Sequence, residues 1–230
     1  MRRTSDIAQE CVKLDGVARY RDSSGKRLED YPRPSVAVDT AVLTVHRGTL
    51  EVVLTGSSGA HSGTEWTLPG TFLHAGETLR NAAMRSLREK VGLRGVAPRQ
   101  LHVFDSPDRD DRGWVLSVAH VDVLPAKRLE GLDTAHLVAI AALPPLRYDH
   151  ADIIEFAVES VRRDYRNAPD PAELLGEPFT IAELRRLHEA VLGTTLLPDT
   201  FRRAMTPALR ATGKMSRNGR GRPAELYVRR

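Results

Sequence analysis

The run from Val36 to Val45 is the stretch of this sequence that permits the fewest folds. It is rich in β-branched and apolar residues, and it reads as a buried strand. His46-Arg47-Gly48-Thr49 makes a turn, and Leu50 to Leu54 returns as a second strand. Gly56 to Gly63 reads as a Gly/Ser loop. A helix is predicted from about Thr78 to Val91, because Leu79, Ala83, Leu87 and Val91 recur every fourth residue and form one apolar stripe. Gly92 suits the stop of that helix. Leu101 to Phe104 and Trp114 to Val123 read as strands on either side of the polar loop Asp105 to Gly113. Strand, helix and strand in this order indicate a mixed α/β domain ending near residue 145.

The flanks of that domain read differently. Residues 1–30 are polar and weakly patterned, a loosely packed arm with a turn at Ser23-Ser24-Gly25-Lys26. A long helix is predicted over Asp149 to Asn167, with Ile154, Ala157, Val161 and Tyr165 facing one way. Ala168-Pro169-Asp170-Pro171 breaks it and marks a domain boundary. Beyond the break, Thr180 and Glu183 have the spacing of a capping box at the start of a helix. Leu184, Leu187 and Val191 give that helix its apolar face, and Gly193 ends it. A second helix begins near Pro198 and carries Phe201, Met205 and Leu209 inward. A basic, Gly-punctuated segment from Thr212 to Pro223 follows, ending in Leu226-Tyr227-Val228. Helix, turn, helix and basic hairpin is the layout of a winged helix, whose second helix enters the DNA major groove.

The charge distribution points the same way. From Arg202 onward there are nine basic residues against the single acid Glu225, a local balance of +8. The chain as a whole carries +4, so the rest is net acidic. Such a split suggests a polyanionic partner for the tail alone. At 230 residues and 41% hydrophobic content the chain can bury a core without disulfides, and the lone Cys11 offers neither a disulfide framework nor a cysteine-rich zinc site. No stretch has the pattern of a signal peptide or a membrane span, so a cytoplasmic protein with no membrane partner is expected.

The stretch from Leu68-Pro69-Gly70 to Leu93 resembles the Nudix box, a glycine and a glutamate leading into a helix that carries Arg-Glu-aliphatic-x-Glu-Glu-x-Gly. Glu77, Arg85, Leu87, Glu89, Gly92 and Leu93 fall in register. Thr71 stands at the first glycine, and Ser86 and Lys90 stand at two of the three helical glutamates. In the family those glutamates lie on one helix face and hold the Mg²⁺ that serves diphosphate hydrolysis. Lys90 places a positive charge where the metal sits, which makes hydrolysis doubtful while leaving phosphate binding open.

Together with Arg33 to Asp39, Asp108 to Trp114, the Tyr148-Asp149-His150-Ala151 helix start and Phe179 to Arg203, the sequence resembles the Nudix-related transcriptional regulators that repress bacterial NAD-biosynthesis genes. The resemblance implies an α+β protein: a Nudix-like mixed-sheet α/β/α sandwich over 31–147, a linker helix over 148–170, and a C-terminal winged-helix domain over 171–230. It implies a homodimer that binds double-stranded operator DNA and senses ADP-ribose or a related nucleotide, with no cofactor or metal required and no catalytic residues. The alternative is a Mg-dependent hydrolase of nucleotide diphosphates using Glu77 and Glu89.

For the effector, Arg109 and Arg112 are the expected diphosphate ligands, since the guanidinium fork makes paired bonds. Arg85 and Glu89, with Glu77, are expected on the pocket side of the old metal face, although Arg85 serves equally as a structural ion-pair partner. Trp66 is read either as a base-stacking residue or as part of the core. For DNA, Arg202 and Arg203 are the candidate base readers. Thr180 and Thr200 are candidate backbone contacts, and Lys214, Arg217, Arg220 and Arg222 belong to the wing. The histidines show no metal spacing and are read as structural or surface residues.

Overall fold

The computed structural model describes residues 21–58, 64–132, 135–216 and 223–230. The chain separates into a unit ending at Pro34 and a unit from Ser35 to Arg230. In the first, the expected turn forms around Gly25, whose φ of 77° is left-handed and whose N–H donates to the Asp22 carbonyl at 2.9 Å.

The second unit is built on β1 (Ser35–His46), and eight consecutive residues of it are buried. Burial on both faces explains the unbroken apolar run, because each face needs a cover. β1 turns into β2 (Thr49–Ser58), which continues four residues past the expected end at Leu54. β3 (Thr64–Thr67) pairs with that extension, so the predicted loop is shorter than its Gly/Ser content suggested. β4 (Gly70–Phe72) pairs with the start of β1. β5 (Arg99–Phe104) and β6 (Val115–Val123) complete the other side, with β6 parallel to β1, and β7 (His136–Ala139) pairs with β2. The strand order is β3-β2-β1-β6-β5.

Helices cover both faces. α1 (Leu79–Val91) is capped by Thr78, whose hydroxyl accepts from Asn81 N–H at 3.2 Å, and it stops at Gly92 with φ 73°. Its Leu87 and Val91 pack on Val42 and Val53. On the opposite face Leu43 and Leu54 meet α2 (His150–Asn167) through Ile153, Ile154, Ala157 and Val161. The alternation of Val42 with Leu43, and of Val53 with Leu54, is the two-residue strand period. The segment expected as a linker helix is thus one layer of the sandwich. Its large apolar face is too extensive to be left in a connection.

After α2 the chain forms β8 (Phe179–Thr180), α3 (Ile181–Leu192), α4 (Pro198–Met205), β9 (Leu209–Met215) and β10 (Glu225–Arg229). The second sheet has the order β8-β10-β9. Phe179, Leu184, Phe201, Met205, Leu209 and Tyr227 form its core. Leu209 reaches that core from a strand and not from α4 as expected: Pro207 has no N–H to continue the helix, and Thr206–Ala208 tighten into a 3-10 turn. The other side of α3 sends Leu187 and Val191 into the core beneath β1 and β2.

A buried carboxylate pins the junction. Asp170, with no exposed surface, accepts from Tyr165 Oη at 2.7 Å, from the N–H groups of Leu174 and Leu175 at 2.9 and 2.8 Å, and from Arg229. Its own N–H donates to His188 Nε2 at 3.3 Å. Among the described residues no helix is long and apolar enough to cross a membrane.

Candidate functional site

A cleft of about 580 Å³ opens over the first half of β1, between β4, the loop 105–113 and the start of α2. Asp39 lies at its floor, 6% exposed. Ser117 Oγ donates to it at 2.6 Å, His150 Nε2 faces it at 3.5 Å, and the Arg109 guanidinium is 3.8 Å away. Burial raises the Asp39 carboxyl, but the His150, Ser117 and Arg109 partners outweigh burial and hold it below its usual value. His150 Nδ1 accepts the Leu68 N–H at 2.9 Å, which leaves Nε2 to carry the proton toward Asp39. A Cβ on Gly70 would collide with Asp39 Oδ1, so only glycine allows this approach.

The walls are cationic and aromatic. Arg109, its side chain almost fully enclosed, forks onto Asp149 with Nε and Nη2 at 2.8 and 2.6 Å. Arg112 forks onto Asp110 at 2.8 and 2.7 Å, which holds the Asp110 carboxyl down at about 2. The Arg112 guanidinium also lies 5.1 Å from the Phe72 ring centre and 4.9 Å from that of Tyr148. Arg147 covers Tyr148 at 5.2 Å and pairs with Glu65 at 2.9 Å. Tyr148 has φ 55°, a left-handed backbone that a non-glycine residue adopts only under constraint from its surroundings. The result is a ladder of rings and guanidinium planes, suited to a ligand that is flat at one end and anionic at the other.

Of the residues expected here, Arg109 and Arg112 line the cleft. Arg85, Glu77, Glu89 and Trp66 do not. Arg85 binds both oxygens of Glu77 at 2.9 Å, Thr71 Oγ1 at 3.1 Å and the Phe72 carbonyl at 3.0 Å, so it braces the loop before α1. Arg85 thus serves as a structural ion-pair partner, and the pair holds the Glu77 carboxyl at about 2. Glu89 is half exposed and pairs with Arg88 at 2.9 Å. Trp66 packs against the sheet core with its ring edge to His136 at 4.9 Å. Asp39, Glu65, Arg147, Tyr148 and His150 escaped the sequence reading. The Tyr148-Asp149-His150 helix start was visible as a motif, yet nothing local tied it to Asp39.

The second candidate surface is on α4 and the β9–β10 hairpin. Thr200, Arg202 and Arg203 are exposed on α4 while Phe201 and Met205 turn inward, and Lys214 is exposed on β9. A groove lined by Arg185, Asp199, Arg202, Met215 and Glu225 runs between the helices and the hairpin. Arg217, Arg220 and Arg222 lie outside the described residues. Thr180 is buried, and its hydroxyl is committed to the cap, accepting Glu183 N–H at 3.2 Å and donating to Glu183 Oε2 at 2.8 Å. It therefore has no free group for a backbone contact, a correction to the expectation.

A sandwich with this box helix and a winged helix behind it defines a class, and comparison with known families agrees. Residues 35–163 match the NUDIX domain, and residues 171–228 match the NrtR DNA-binding winged helix domain. The chain is 30% identical to the ADPR-responsive transcriptional repressor NtrR of Acinetobacter baylyi, over 92% of this chain and 86% of that one. It superimposes on Shewanella oneidensis NrtR, solved in complex with a 27mer DNA, with a TM-score of 0.71 and 31% identity, covering 85% of this chain and 93% of the other. It is also 32% identical to an ADP-ribose pyrophosphatase of Methanocaldococcus jannaschii, over 60% of this chain and 80% of that protein. The chain belongs to the Nudix-domain family with an NrtR-type winged helix, the family of the NtrR and NrtR regulators.

Proposed function

We propose that this chain is a transcriptional repressor whose Nudix domain binds ADP-ribose or a related nucleotide, without hydrolysing it, and whose winged helix binds operator DNA. The observation that carries the reading is one compact unit holding an arginine-and-aromatic cleft and an exposed basic helix-and-hairpin face. The same two activities appear in the descriptions of its relatives, one responsive to ADPR and one solved on DNA. The protein acts as a cytoplasmic homodimer on paired half-sites, regulating NAD or related cofactor metabolism. The effector part extends from Ser35 through α2 and the DNA-binding part covers 171–230, while residues 1–20 of the expected N-terminal arm lie outside the described residues. Nucleotide in the cleft shifts the placement of the two winged helices, and operator affinity falls.

Impaired chemistry follows from the donor set. A divalent cation on the box helix needs carboxylates on one face, and this face does not fit it. Both Glu77 oxygens are held by Arg85, Glu89 turns to Arg88, Ser86 Oγ is buried without a partner, and Lys90 adds a positive charge. A hydrolase reading retains one supporting observation, the likeness to an ADP-ribose pyrophosphatase. Gel-shift titration against a duplex from the gene's upstream region, with and without ADP-ribose, tests the repressor. Binding that weakens with nucleotide is expected, and no binding to any operator-like duplex at moderate salt refutes it. Release of AMP and ribose phosphate from ADP-ribose, lost in Glu89→Ala, would establish the hydrolase instead.

A further inference from the structure

We infer that Lys90 takes the place of the divalent cation, so that the cleft holds a pyrophosphate group without metal. The inference rests on reading the cleft as a nucleotide site. The box helix α1 carries Glu77's partner Arg85, Ser86, Glu89 and Lys90, yet only Lys90 reaches the cleft wall. In the family pattern its position belongs to a metal-binding glutamate.

The charges around it are already matched. Three carboxylates line the cleft, and each is engaged: Asp39 by His150 and Arg109, Asp110 by Arg112 at 2.7 Å, Glu65 by Arg147 at 2.9 Å. The three lining arginines are thereby neutralised, with Arg109 further clamped by Asp149. Among the described residues no carboxylate oxygen lies within 4.0 Å of the Lys90 ammonium. Lys90 is thus the lining cation that has no carboxylate partner among the described residues, and it stands at the position where the family pattern has a metal-binding glutamate. An anion entering there meets a fixed positive charge that requires no dehydration of a metal ion, while Arg112 and Arg147 exchange their carboxylates for phosphate oxygens. A lysine at this place also repels a divalent cation, so the substitution both removes a ligand and excludes the ion.

The experiment is calorimetric titration of the full chain with ADP-ribose, once in EDTA and once in excess Mg²⁺. Equal affinity within twofold is expected in the two buffers. Lys90→Ala is expected to weaken binding at least tenfold with an unchanged melting temperature, since the residue is exposed and alanine favours helix. Lys90→Arg keeps binding within about threefold. Binding that requires Mg²⁺, or Lys90→Ala that binds like the parent, overturns the inference while leaving the effector reading intact. If ADP-ribose binds in neither buffer, the nucleotide reading fails, and inorganic pyrophosphate decides Lys90 separately. Pyrophosphate binding in EDTA that Lys90→Ala removes sustains the inference, and no such binding overturns it.

Discussion

Gly70 shows how much a single residue carries here. Its missing side chain makes room for Asp39, which in turn orients His150 and Arg109 beneath the cleft. Gly70→Ala is expected to cost about 1–3 kcal/mol by overpacking, read as a lower melting temperature, and to weaken nucleotide binding with it. Residue spacing along the chain does not reveal such a site, because Asp39 and its partners His150 and Ser117 come from distant parts of the sequence. The loop arginines were legible because their chemistry is local to residue type. Their pairing with Asp149 and Asp110 was not, since it depends on how the loop folds back on the helix start. His188 carries a second prediction. Burial lowers it to about 4, with Asp170 (itself paired to Arg229) and Tyr165 against it and the Phe201 ring beside it. The unfolded chain therefore binds a proton that the folded chain refuses, and stability falls as pH drops from about 6.5 toward 4. The effect amounts to about 3 kcal/mol at most, and His188→Gln should flatten it in urea melts across that range.

At the scale of elements, caps and stops were the readable part. Thr180, Gly92, Gly193 and Pro198 act where their chemistry places them. What a helix packs against was not readable, because an apolar stripe states that a face is buried and not which surface buries it. This is why α2 was expected as a linker and proves to be a layer of the sandwich. The capping role of Thr180 makes a prediction that separates it from DNA contact. Thr180→Ala should lower stability by about 1 kcal/mol in denaturant titration while leaving the salt dependence of operator binding unchanged. A reduced salt slope would mean that its hydroxyl reaches the backbone after all.

For the whole molecule the charge split is the quantity to test. Arg220 and Arg222 belong to the basic segment, and replacing both should lower the slope of log affinity against log salt by about 0.9 for each lost phosphate contact, on operator and random DNA alike. Arg202→Ala or Arg203→Ala should instead cost roughly 1–3 kcal/mol on the operator and relax base preference, as measured by competition between the two duplexes. Equal losses on both duplexes for all four variants would remove the division between reading and anchoring.

Leu187 and Val191 stand on the helix that opens the winged helix, yet they sit beneath β1 and β2. The consequence concerns cooperativity. Neither part can melt while the other keeps its packing, so calorimetry should record one endotherm for both, without a shoulder. A small molecule held in the cleft then protects the DNA-binding helices from heat and proteolysis at a distance, through mass action on a single folding equilibrium.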